Sequence, residues 1–104
     1  MDATVLSYAE IRETIVSMGA DYSMVVRENK VMYVAFYRSG GCGRLHVNVC
    51  NYLAKRFHDM EIVVLESPTL NRLCHKARVR RPGGMHFSPS PEPVLATASR
   101  LGVL

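Results

Sequence analysis

The chain has 104 residues, 48% of them hydrophobic, which suits one domain with its own core and excludes an intrinsically disordered chain. The formal net charge is +4, but residues 1–66 carry seven Lys/Arg against eight Asp/Glu, and residues 67–104 carry six against one. The basic character therefore sits in the last third, and a localised cationic patch points to an anionic partner more strongly than a diffuse excess does.

No apolar run approaches the roughly 18 residues of a membrane-spanning helix. The start, Met1-Asp2-Ala3-Thr4, lacks the cationic and apolar segments of a signal peptide. The cysteines are Cys42, Cys50 and Cys74, an odd number that argues against a disulfide framework. These features predict reduced thiols and a cytoplasmic or nuclear protein.

Ser7 followed by Glu10 has the spacing of a capping box, and Tyr8, Ile11, Ile15 and Met18 recur at helical period behind it. Gly19 is a natural stop, so a helix is predicted over 8–18. Two β-rich runs follow, 22–28 and 31–37, around Asn29-Lys30, where Asn tolerates the positive φ of a hairpin turn. In that register Tyr22, Met24 and Val26 share a face with Tyr33, Ala35 and Tyr37. The opposite face carries Val25, Met32, Val34 and Phe36, so both faces need cover.

Ser39-Gly40-Gly41-Cys42-Gly43 reads as a flexible connector. From Arg44 to His58 the set Val47, Cys50, Leu53, Ala54 and Phe57 has helical period, which predicts a second helix; a short strand at 44–49 is the alternative. Residues 61–65 read as a central strand. Ser67-Pro68 then resembles an N-cap with Pro at the first helical position, and Leu70, Leu73, Cys74 and Ala77 follow at i, i+3, i+4, i+7. A third helix is predicted up to Arg81, apolar on one side and basic on the other. Residues 82–104 hold four of the five prolines. They are predicted to be an extended tail without regular hydrogen bonding over 88–93, its apolar end able to dock.

The expected fold is thus α+β: a three-stranded, mainly antiparallel sheet packed by three helices in the order α-β-β-α-β-α. The domain spans 1–81 and the Pro-rich tail 82–104. Three strands leave open edges, which predicts a two-fold homodimer built on the sheet.

The candidate site is cationic. Arg72, Lys76, Arg78, Arg80 and Arg81 lie close together with no acid between them and resemble a phosphate-contacting surface, with Arg78, Arg80 and Arg81 at the helix end and in the loop beyond it, where long side chains can reach a backbone. Arg44, beside the Gly40–Gly43 loop, is a possible second contact, since backbone N–H groups before a helix can cradle a phosphate. The loop has a G-x-x-G spacing, but it follows a strand rather than separating two helices as in KH domains, and no G-K-[ST] follows it. Cys42 and His46, with Cys74 or His75, could converge on a zinc ion, yet no C-x-x-C spacing supports one. Tyr22, Tyr33 and Tyr37 could stack on bases, although sheet aromatics more often belong to a core or an interface. No nucleophile elbow or paired-histidine motif points to catalysis. The expectation is a non-enzymatic nucleic-acid-binding protein, RNA before DNA, with no cofactor. The alternative is a protein-interaction module, such as an adaptor, an inhibitor or a viral accessory or suppressor protein, working through an apolar sheet face or the tail.

Overall fold

The computed structural model describes residues 3–38, 44–67, 76–84, 86–89, 100 and 102. The elements run α1 (Ala3–Ser17), β1 (Tyr22–Glu28), β2 (Val31–Tyr37), α2 (Leu45–Arg56), β3 (Glu61–Ser67), β4 (Lys76–Arg80) and β5 (Ser88–Pro89). Together they form an α+β domain, with two helices and a five-stranded mixed, mostly antiparallel sheet of order β1-β2-β3-β4-β5.

The α1 stripe lies as its period predicts. Ile11 and Ile15 are fully buried, and Tyr8 and Met18 pack at the margin of the same cluster. The helix begins at Ala3, however, so Ser7 lies inside it and is not an N-cap. Nothing in Ala3-Thr4-Val5-Leu6 breaks a helix, and propagation through those residues continues the ladder. The C-terminus closes as a Schellman motif. Gly19 N–H donates to the Val16 carbonyl at 3.0 Å, and Ala20 N–H to the Ile15 carbonyl at 3.3 Å. Gly19 adopts φ 126°, which a side chain would resist.

β1 and β2 form the expected two-residue hairpin, with Glu28 opposite Val31 and Tyr22 opposite Tyr37. Asn29 sits at φ 56° in the turn. β2 runs parallel to β3, and α2 supplies the crossover that a parallel pair requires. The helical reading of 44–58 therefore holds and the strand alternative does not. Its buried face is Leu45, His46, Val49, Cys50 and Leu53. Val47, placed on that stripe from sequence, is 55% exposed, because the core-facing stripe passes through Val49 instead.

The third helix is not present over 76–80. Those residues form β4, paired antiparallel with β3, Val63 opposite Val79 and Leu65 opposite Ala77. Residues 68–75 of the expected helix lie outside the described residues. Lys76-Ala77-Arg78-Val79-Arg80 alternates strictly, and pairing places Ala77 and Val79 against Tyr33, Ala35, Val63 and Leu65. Burying both apolar residues while completing the β3 ladder outweighs the helical period. The tail is also not wholly without backbone pairing: Ser88 and Pro89 add β5 to β4.

Both helices cover one face of the sheet. There Ile11, Ile15, Leu45, Val49 and Leu53 interlock with Val25, Met32, Val34, Phe36, Ile62 and Val64. The other face holds the second cluster, centred on Val63 and Leu65. The Arg100 guanidinium donates to both oxygens of Glu28 in the hairpin at 3.1 Å. Among the described residues no helix is long and apolar enough to cross a membrane.

Candidate nucleic-acid interface

The alternation of β4 turns Arg78 and Arg80 toward the helix-covered face. In register, Arg80 lies opposite Ile62, Arg78 opposite Val64 and Lys76 opposite Glu66. The five sequence candidates consequently part company. Arg72 lies outside the described residues, as do Cys42, Cys74, His75 and Gly40–Gly43. Lys76 is placed by its backbone on the strand.

Arg80 is not a phosphate contact. It is 1% exposed. Its Nη1 donates to the carbonyls of Ala54 and Gly84, at 3.2 and 3.4 Å. Its Nη2 donates to the carbonyls of Phe57, His58 and Met60, the last at 2.7 Å. All of these carbonyls except that of Gly84 lie at and just past the end of α2, where backbone acceptors have no intrahelical donor. A cation there also meets the negative end of the helix dipole. Burial lowers the Arg80 pKa from its ordinary value, and Asp59 opposes that shift. With both terminal nitrogens of its guanidinium bonded to carbonyls and its charge below the surface, Arg80 holds the α2–β3 connection together.

Arg78 is half-buried and lines a hollow of about 230 Å³ between α2 and β4, with His46, Cys50, Asn51, His86 and Phe87 around it. At Asn51 this hollow adjoins a second, of about 180 Å³, bordered by Ala54, Lys55, His58 and Gly84. Together they make a groove along α2. Among the described residues that line it, Arg78, Arg80, Lys55, His46, His58 and His86 bring cationic or ionisable nitrogen, the Arg80 guanidinium being turned to carbonyls, and no carboxylate belongs to the lining. Arg81 follows β4 with a side chain 87% exposed, its closest carboxylate oxygen 4.0 Å away on Glu61. Arg44 is exposed at the α2 N-cap and makes no side-chain cap there.

Beneath the groove, Glu66 joins two elements. His46 Nδ1 lies 2.8 Å from Glu66 Oε1, and Arg38 Nε donates to Oε2 at 3.2 Å. The carboxylate thus joins Arg38 to the imidazole, and it fixes the His46 ring. Cys50 is a protonated thiol: burial pushes its pKa up to about 12, with Arg78 pulling it down and Glu66 pushing it up. A thiol so held is not an activated nucleophile. Tyr33 is buried in the second cluster and is no stacking surface, whereas Tyr22 and Tyr37 pair with each other, ring centroids 5.4 Å apart.

The linear charge run therefore overlooked half of the groove. Asn51, Lys55, His58 and His86 fall outside it, yet a signal for three of them was present. On α2, Arg44, Asn48, Asn51 and Lys55 recur at helical spacing on the side away from the buried stripe, and His58 follows just past the helix. No protein-family model matches this chain, and searches of curated proteins and of solved structures return no match.

Proposed function

We propose that the protein binds nucleic acid, RNA in preference to DNA, without catalysis, by seating the phosphate backbone along the α2–β4 groove. The observation that carries this reading is the groove's lining: several cationic or ionisable nitrogens and no carboxylate among the described residues. Arg78 and Lys55 supply fixed charge inside the groove. Arg81 and Arg44 reach for flanking phosphates from its two ends, and Asn51 and His86 offer donors to sugar or phosphate oxygens. Phe87 gives the concave wall an apolar patch beside His86, an arrangement suited to a single strand whose bases can leave the stack.

The test is a salt titration of binding to a fluorescent single-stranded RNA, with duplex RNA and single-stranded DNA of equal length in parallel. Each phosphate neutralised on a single strand contributes about 0.7 to the slope of log affinity against log salt. The expected result is a slope worth several phosphates, lowered by about two phosphates' worth in Lys55→Glu/Arg78→Glu and abolished when Arg81→Glu is added. A folded triple variant that binds as well as the parent overturns the reading.

A further inference from the structure

The two edges of the sheet differ in kind. β5, at one end, is two residues long and finishes in Pro89, so it offers almost no ladder. β1, at the other, is seven residues long, pairs one-to-one with β2 without a bulge and contains no proline. Among the described residues nothing pairs with its outer side. Natural sheets rarely leave such an edge undefended.

The hairpin fixes which groups face outward. A two-residue turn makes Glu28 and Val31 a hydrogen-bonded pair, so Val26, Met24 and Tyr22 also turn their backbone groups toward β2. Ser23, Val25 and Arg27 then direct their N–H and C=O toward the open edge. Beside that edge, between β1 and α1, runs a groove of about 490 Å³ lined by Glu13, Val16, Asp21, Tyr22 and Ser23, together with Arg12. Val16 and Tyr22 are 45% and 42% exposed there, large apolar side chains left open to solvent.

We propose that β1 pairs antiparallel with β1 of a second copy, about a two-fold axis at Val25, to give one sheet running through both subunits. In this register Val25 faces its own copy, Ser23 faces Arg27, Met24 faces Val26 and Tyr22 faces Glu28. No like charges oppose each other, and Met24–Val26 pairs extend the apolar surface of the second cluster. Arg27 of each copy stands on the α1 side of the sheet, so its guanidinium enters the other copy's groove, which holds two carboxylates, Glu13 and Asp21, against one cation, Arg12. Its aliphatic stem covers Val16. This reciprocity of Arg27 and Glu13 selects a second copy over an unrelated extended peptide, because the edge carries both halves of the contact. The surface shares no residue with the α2–β4 groove, so the two proposals stand or fall separately.

Sedimentation velocity over a wide concentration range tests it, with circular dichroism to confirm that each variant folds. The parent is expected to be a concentration-dependent dimer. Arg27→Glu, an exposed change, should weaken dimerisation by roughly tenfold or more. Glu13→Arg added to Arg27→Glu should restore it. A parent that stays monomeric at high concentration, or a dimer unmoved by Arg27→Glu, overturns the proposal. So does a double variant that weakens the dimer further, because the reciprocal pair would then not exist.

Discussion

Arg80 and Glu66 show how a charged residue can serve the fold rather than the surface. Removing the Arg80 guanidinium takes away the charged donor that ties the carbonyls of Phe57, His58 and Met60 together. Arg80→Ala should cost about 3 kcal/mol or more, and Arg80→Lys only somewhat less, since one ammonium cannot span carbonyls that a planar fork reaches. Urea denaturation measures both. Glu66→Gln removes the charge shared by Arg38 and His46 and leaves Arg38 enclosed without its carboxylate, for an expected loss of about 2–4 kcal/mol. Cys50 adds a dependence on pH. Its folded pKa lies above the ordinary thiol value of 9.0, so between that value and about 12 the unfolded chain loses a proton that the folded chain retains. Stability should therefore fall as pH rises above 9, by about 1.4 kcal/mol per pH unit at most from this group. Tyr33 and Tyr37, raised chiefly by burial, add the same sign at higher pH. Thermal melts of the parent and Cys50→Ala across that range should show the variant's decline to be shallower.

At the scale of elements, legibility followed the number of partners each segment needs. The β1–β2 hairpin and α1 were readable because turn chemistry and a local stripe define them. Gly19 is the plainest case: at φ 126°, Gly19→Ala should destabilise by about 1 kcal/mol or more, although no atom lies within 4 Å of where its Cβ would be. An equal loss in Ala20→Gly only, with none at Gly19, would contradict that account. β4 was misread because its apolar residues satisfy two periods at once. Ala77 fits a helix stripe that starts at Leu70, and it also fits the alternation of Lys76 to Arg80. Only β3, whose Val63 and Leu65 await partners on the second face, decides between them. The same choice turned a supposed basic helix side into a strand, which withdrew Arg80 from solvent beneath α2 and set Arg78 in a groove.

For the whole molecule, an ion pair joins Arg100 to Glu28 of the first hairpin, but both side chains are substantially exposed. Glu28→Gln should therefore change stability by under about 1 kcal/mol, and added salt should remove even that difference. A larger loss would mean that the pair anchors more of the C-terminal region than its exposure implies. The sequence by itself determined the α+β class, the hairpin and its register, both described helices, the central strand and the concentration of positive charge in the last third. These rest on short-range properties: period, turn residues and composition. Tertiary structure alone decided the parallel β2–β3 pairing, the strands β4 and β5, and the division of the basic residues between core and groove. Each depends on which distant segment supplies a ladder partner, or on where the end of α2 leaves carbonyls for Arg80 to satisfy, and neither is encoded in the spacing of neighbouring residues.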